Sequence, residues 1–223
     1  LKFTTLAFNP MMRMNEVNRY SGVHLESPES LSDHITDISM MCYVIGRKLM
    51  NLGEEINLGS LLEKALLHDM DEVLTGDIPR NTKYATDEVH EELEKVAKRA
   101  IKEIQDAVGI EDLTKIWSEA KSEKEGFIVK VSDMLCVVRK AIIEVELRNN
   151  LSFLKVISEL EGHLTKMSEK CDLFYLPSSA EFMSSLLKDA RDEITTIRVK
   201  YQHIIDKYNI KDNVLEGVEY NGR

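Results

Sequence analysis

An all-α fold is predicted for this chain on three observations. Its 223 residues include only four prolines and ten glycines, and the prolines fall at Pro10, Pro28, Pro79 and Pro177, so long tracts are free of helix breakers. Within those tracts apolar residues recur at steps of three and four, the period of an amphipathic helix. No stretch shows the sustained alternation of a half-buried strand. Without a linker, internal repeat or low-complexity tract, residues 1–208 read as one helical domain of six or seven helices.

The elements follow in order. From Glu29 to Asn51, Leu31, Ile35, Ile38, Cys42, Ile45 and Leu49 form one stripe, with Pro28 and Ser30 at the start and Gly53 past the end. A second helix is expected from about Asn57 to Val73, broken by Thr75-Gly76-Asp77-Ile78-Pro79. Asp87 to Val108 is a long charged helix closed by Gly109, and Glu111 to Ala120 a short one holding Trp117. Lys124 to Arg148 is apolar around most of its circumference, which marks a central helix. Ser152 to Tyr175 and Ser178 to Tyr208 complete the set, and residues 209–223 read as a loose tail.

Composition narrows the function. With 43% hydrophobic residues the chain is too apolar to be disordered. A net charge of −10 argues against nucleic-acid binding, which needs clustered Lys and Arg. No apolar run is long enough for a membrane span, and Leu1 to Asn9 lacks the pattern of a secretory signal. Cys42, Cys136 and Cys171 have no metal-type spacing and read as reduced, buried thiols, so a cytoplasmic setting is expected.

The informative residues are polar ones where an all-α core should be apolar. His68-Asp69 follows Ala65-Leu66-Leu67, Asp133 interrupts Ile128 to Val138, and His34 lies beside Ile35 and Ile38. Burying such groups without partners is costly. They could satisfy one another as ion pairs or by sharing a divalent cation, for which two imidazoles and two carboxylates suit Mn, Fe, Co, Ni or Zn. Glu72, four residues after His68 and three after Asp69, falls over the same face, where a carboxylate can transfer protons. His90, His163 and His203 lie on charged stretches and are expected to face solvent, as is the loop residue His24.

The order His34, His68-Asp69, Asp133 matches the H…HD…D signature of the HD-domain metal-dependent phosphohydrolases. More narrowly, the chain resembles the bacterial 5′-deoxynucleotidase family. The resemblance runs through Asn18-Arg19-Tyr20, Ser32-Asp33-His34, Leu67-His68-Asp69, Glu72-Val73-Leu74-Thr75-Gly76-Asp77-Ile78-Pro79, Lys83-Tyr84, Val129-Lys130 to Asp133, and Leu176-Pro177-Ser178. It implies an HD-domain fold and one divalent metal (Co, Mn, Zn, Ni, Fe or Mg) on His34, His68, Asp69 and Asp133. It further implies that Asp69 orients the attacking water and Glu72 works on that water or the leaving oxygen. Arg19 would hold the 5′-phosphate and Asp77 the sugar 3′-hydroxyl, with the backbone of Ile78, Pro79 and Arg80 along the nucleoside. A homodimer is implied as well.

The chain departs from the family at Tyr20, where members commonly carry a tryptophan packed against the sugar at C2′. Tyrosine keeps an aromatic wall but is smaller and brings a hydroxyl, so selection against ribose is the property this change touches. The leading expectation is a 5′-nucleotidase acting on deoxyribonucleoside monophosphates. The alternative is hydrolysis of a deoxynucleoside triphosphate such as dATP, as in related phage enzymes, with Arg80, Lys83 and Lys130 supplying charge for the longer phosphate chain. A non-catalytic helical module would predict a broken ligand set, and the set is intact.

Overall fold

The computed structural model describes residues 2–120, 123–208 and 210, so the expected tail lies outside the described residues save for Ile210. Among the described residues the chain is helical, with one isolated antiparallel bridge from Asn18 to Ser30 and no strand. The helices are α1 (Phe3–Ala7), α2 (Leu31–Asn51), α3 (Leu58–Leu67), α4 (Glu72–Thr75), α5 (Arg80–Lys83), α6 (Asp87–Val108), α7 (Leu113–Glu119), α8 (Glu123–Ile142), α9 (Leu154–Ser168), α10 (Pro177–Lys200) and α11 (Gln202–Lys207). A 3₁₀ turn at Pro10–Glu16 follows α1.

The expected count of six or seven is thus too low. The helix expected from Asn57 to Val73 stops at Leu67, where Met70 N–H bonds the Leu67 carbonyl at 3.1 Å and tightens the chain into turns before α4. The last helix is interrupted at Tyr201, and α1 and α5 are short segments with too few residues to show a period.

The starts of the long helices follow from local chemistry. At α2 the Ser30 side chain accepts from Asp33 N–H at 3.1 Å, while the Asp33 carboxylate accepts from Ser30 N–H at 3.0 Å, a reciprocal cap worth about 1 kcal/mol. Thr86 caps α6, and Gly109 ends it in the left-handed conformation. Helix α2 lies so close to α3 that a Cβ at Gly46 would meet Leu61 Cδ2 at 2.8 Å.

Helix α8 is the centre. Phe127, Ile128, Val131, Leu135 and Val138 are buried on it, and it packs against α2, α3, α9 and α10. The main core also takes in Ile38, Cys42, Ile45 and Leu49 of α2. A second, smaller core gathers Leu31, Ile35, Leu67, Met70, Ile101 and Ile104. His34 lies in the chain between Leu31 of the smaller core and Ile38 of the main one, and His68 between Ala65 of the main core and Met70 of the smaller. Cys42, Cys136 and Cys171 are free and buried, with Cys42 Sγ donating to Ser132 Oγ at 3.2 Å.

Helix α8 ends in a π-turn, Ile143–Leu147, that brings Glu144 inward to complete burial. Its carboxylate accepts from Glu26 N–H (2.9 Å), Ser27 N–H (3.0 Å) and Asn150 Nδ2 (2.7 Å), and Lys140 Nζ lies at 3.1 Å. Lys140 also donates to the Ser27 carbonyl. The loop between Asn18 and Ser30 is thereby fastened to α8. Burial alone would raise the Glu144 pKa, but Asn150, the two amides and Lys140 hold it below the ordinary 4.5.

Two outcomes follow from this anchor. Glu144→Ala leaves Lys140 buried without its main partner and should cost about 3 kcal/mol in a urea titration. Because the folded pKa is depressed, the carboxylate's contribution is present above about 4.5 and is lost as pH falls through the lower folded value. Stability measured below pH 4.5 should therefore fall less steeply in Glu144→Gln than in the parent protein.

Candidate metal centre and active site

Three elements bring the predicted ligands together. His34 lies in the first turn of α2, His68 caps the end of α3, and Asp133 projects from the middle of α8. One ligand atom from each of His34, His68 and Asp133 lies within 4.8 Å of the others, a group that could hold a metal ion. Asp69 Oδ2 is 3.1 Å from His68 Nε2 and 3.7 Å from His34 Nε2, and Asp133 Oδ1 is 3.3 Å from His34 Nε2. Despite these approaches, His34 Nε2, His68 Nε2 and Asp133 Oδ1 are buried with no hydrogen-bond partner. Buried polar atoms are normally satisfied, so three that converge on one point fit a shared cation. Nitrogen and carboxylate donors without thiolate match a borderline or hard divalent ion.

The ring orientations support this. His68 Nδ1 faces the Ala65 carbonyl at 2.8 Å, which fixes its proton there and leaves Nε2 for the cluster. His34 has Nε2 toward the cluster in the same way, with its Nδ1 on the side of Glu29, at 3.7 Å.

Arg19 reaches the cluster from the loop. Its Nη1 donates to Asp69 Oδ2 at 3.3 Å, and its Nε lies 3.5 Å from Glu29 Oε1. Burial would lower its proton affinity, but Asp69, Asp133 and Glu72 more than reverse this, so the guanidinium is permanently charged. Tyr20 is held at φ +61°, a left-handed conformation costly for a side chain of this size. Its ring meets Phe153 edge-on at 5.2 Å, and its buried hydroxyl has no partner. Burial and the neighbouring Glu29 push the phenol well above its ordinary range, so it stays protonated.

Charge in the cluster is strongly mutual. Burial would raise the Asp133 pKa, yet His34 alongside brings it down to about 2. Burial would lower that of His34, but Asp133 and Asp69 raise it overall. Glu72 is raised well above the usual carboxylate range, first by burial and then by Asp69. One of its oxygens is buried without a partner, unlike the solvated helix edge its neighbours could suggest. Asp71 is not solvated either, since Trp117 Nε1 donates to it at 3.1 Å.

The remaining predicted residues lie on the loop after α4. Gly76 takes φ +75°, turning the chain so that Asp77 Oδ2 accepts from Ser21 N–H at 3.3 Å. This joins the Asp77 loop to the Arg19 loop. Ile78 and Pro79 are half-buried. Arg80 is exposed with its guanidinium 5.0 Å from the Tyr84 ring, and Lys83, half-buried on the same short helix, makes no ion pair among the described residues.

Two histidines expected at the surface are not there. His90 is half-buried against Tyr84, with 4.8 Å between ring centroids. His163 is also half-buried, and burial together with Arg80 and Lys166 lowers its pKa to about 4. Their helices look charged in sequence, but these positions turn toward neighbouring elements. Residues that sequence reasoning passed over include Glu29, Lys140, Glu144 and Phe153. An i,i+4 pair within an apolar helix was the available sign for Lys140 and Glu144, whereas nothing in sequence marked Glu29. A cavity of about 560 Å³ at the α2–α3 turn, lined by Met50, Gly53, Glu54 and Glu125 among others, contains none of the cluster residues.

This fold, with a His, a His-Asp pair and an Asp converging at its centre, defines an HD-domain phosphohydrolase. The model of the "5'-deoxynucleotidase YfbR-like" family matches residues 7–189, and the chain belongs to that family. It is 29% identical over 192 residues to a 5′-deoxynucleotidase of Citrobacter koseri, covering 83% of this chain and 96% of that protein. Among solved structures it resembles an HD-domain phosphohydrolase from Listeria innocua, at TM-score 0.68 and 24% identity over 89% of this chain and 96% of that one. It shares the fold of the cyanophage S-2L HD phosphohydrolase DatZ bound to dA and one catalytic Zn²⁺, at TM-score 0.55 and 17% identity, covering 89% and 95% of the two chains. The chain is a phosphohydrolase enzyme.

The conformation at Gly76 makes a direct prediction. A Cβ there meets open space, so Gly76→Ala tests backbone conformation alone. It should cost about 1–3 kcal/mol and loosen the Asp77–Ser21 contact. Thermal unfolding measures the first, and faster amide exchange at Ser21 reports the second.

Proposed function

We propose that this enzyme is a metal-dependent 5′-nucleotidase that hydrolyses deoxyribonucleoside 5′-monophosphates to deoxynucleoside and phosphate. The observation that carries this is the meeting of three buried, unpartnered ligand atoms, on His34, His68 and Asp133, with a charged arginine that bonds the adjoining Asp69. His34, His68, Asp69 and Asp133 hold one divalent ion, whose identity (Co, Mn, Zn, Ni, Fe or Mg) is for metal analysis to assign. When bound, such an ion supplies Lewis acidity that polarises a phosphoryl oxygen and makes water a better nucleophile at neutral pH.

The chain's own groups do the rest. Asp69 orients the attacking water, and Glu72 takes its proton or protonates the departing sugar oxygen. Arg19 binds the non-bridging phosphate oxygens with a planar fork of donors and stabilises their charge as the bond breaks. Asp77, already fixed through Ser21 N–H, accepts from the sugar 3′-hydroxyl. Tyr20 forms the aromatic wall beside the sugar, while the backbone of Ile78, Pro79 and Arg80 lines the nucleoside side. Lys83 adds positive charge at the rim.

Family membership and the named relative support the monophosphate reading. A triphosphate reading draws support from Arg80 and Lys83, on the short helix that follows Asp77, and from Lys130, one turn before Asp133 on α8. Residues 1–208 form the single HD domain in this proposal. The three free, buried thiols support a cytoplasmic setting. Among the described residues no helix is long and apolar enough to cross a membrane.

Phosphate release from AMP, dAMP and dATP, with Mn²⁺ or Co²⁺ added and products resolved by chromatography, tests the substrate. Conversion of dAMP to deoxyadenosine, with AMP spared, is expected. Faster attack on dATP would replace the monophosphate reading with the triphosphate one. Glu72→Ala should lower kcat by at least about 100-fold while still binding metal. Normal turnover in that variant would remove Glu72 from the mechanism.

The proposal includes a homodimer, supported by exposed Met40, Tyr43 and Val44 at helical spacing on the outer face of α2. Light scattering should then give twice the 25.5 kDa chain mass. A value near one chain mass would rule it out.

A further inference from the structure

Glu29 has no part in the mechanism above, yet it stands directly behind two residues that do. Its Oε1 lies 3.5 Å from Arg19 Nε and 3.7 Å from His34 Nδ1, and its Oε2 lies 3.9 Å from Lys140 Nζ. Its backbone is fixed as well. The Glu29 carbonyl accepts from Arg19 N–H at 2.9 Å within the Asn18–Ser30 bridge, and the next residue is the Ser30 cap of α2. The side chain is only 15% exposed, with Lys140 held in turn by Glu144 and the Ser27 carbonyl.

The two histidines of the cluster therefore have unlike backing. His68 has a neutral backbone carbonyl behind its Nδ1, and His34 has a carboxylate. A carboxylate on that side of an imidazole favours a proton on the near nitrogen and makes the other nitrogen a stronger donor to a metal; at 3.7 Å Glu29 acts on His34 through its charge rather than through a hydrogen bond. The same oxygen lies 3.5 Å from Arg19 Nε, an ion pair without a hydrogen bond, so its charge favours the guanidinium edge that leaves Nη1 donating to Asp69.

We propose that Glu29 is a positioning residue that sets His34 and Arg19 at once, linking the strength of metal binding to the grip on phosphate. It rests on the metal-centre reading given above. The mechanism needs no proton transfer by Glu29, only its fixed charge and place.

The test uses the full chain, stripped of metal and titrated with Co²⁺ against a competing chelator, as the parent protein, Glu29→Gln and Glu29→Asp. Glu29→Gln should weaken Co²⁺ binding about 10–100-fold and raise KM for the monophosphate. Glu29→Asp should recover part of both. The melting temperature of the stripped proteins should stay close to that of the parent. Parental Co²⁺ affinity and KM in Glu29→Gln would overturn the proposal, as would losses that simply follow a fall in melting temperature. A second measurement needs no variant: nitrogen NMR of the stripped parent protein should find a proton on His34 Nδ1, whether or not the Nε2 that faces Asp133 and Asp69 also carries one. An Nδ1 without a proton would overturn the proposal even if both variants failed to fold. If the parent took up no Co²⁺ at all, the metal-centre reading would fail, and the His34 Nδ1 proton would still decide the role of Glu29.

Discussion

A carboxylate with no exposure to water, Glu144, governs how the functional loop is held. Charge at that depth is tolerated only with full compensation, and here four donors supply it. Two of those donors are backbone amides of the loop that carries Arg19, Tyr20 and Glu29. The loop therefore cannot leave α8 without stranding a buried charge. Since α8 also carries Asp133, the same interaction fixes the distance between the arginine and the cluster. A loop would otherwise be a poor support for groups that must stay within a fraction of an ångström.

The second feature is the placement of the cluster histidines between residues of two apolar cores. Low polarity on both sides strengthens every charge interaction there. That is why Glu72 is pushed far above the usual carboxylate range while Asp133, beside His34, is pulled down to about 2. Two acidic groups in one site are driven in opposite directions by unlike neighbours, and this is the circumstance in which one carboxylate can bind a cation while another handles protons. Arg19, between Asp69 and Glu29, offsets part of the negative charge these groups accumulate.

Much of this was legible in the sequence, and the reasons are physical. The long helices announced themselves through their ends: Pro28 and Ser30 before α2, Gly53 after it, and Gly109 closing α6. His34, His68-Asp69 and Asp133 stood out because each interrupts an apolar tract, and the fold brings His34, His68 and Asp133 together with Asp69 alongside. The turns between Leu67 and Glu72 were hidden, because their residues are good helix formers and only the backbone bonds reveal the break. Glu29 and Glu144 were hidden for another reason. A carboxylate beside a cap, or one in the last turn of a charged helix end, looks solvated in one dimension. Only the return of the Asn18–Ser30 loop over α8 buries them. His163 and His90 look solvated for the same reason, yet a charged helix can still turn single positions inward.

The three thiols carry a consequence of a different kind. Each is free and buried, and burial raises the pKa of each, with Cys42 pushed up to about 11 and Cys136 to about 12. A thiol both hidden and protonated reacts with an alkylating reagent only when its surroundings open. Cys42 lies on α2, Cys136 on α8 and Cys171 in the turn before α10, so the chain carries three clocks in different parts of the fold. Their labelling rates, read by mass spectrometry, would rank how often each region breathes. Cys42 and Cys136, on the two helices that present His34 and Asp133, would time the opening of that cluster itself.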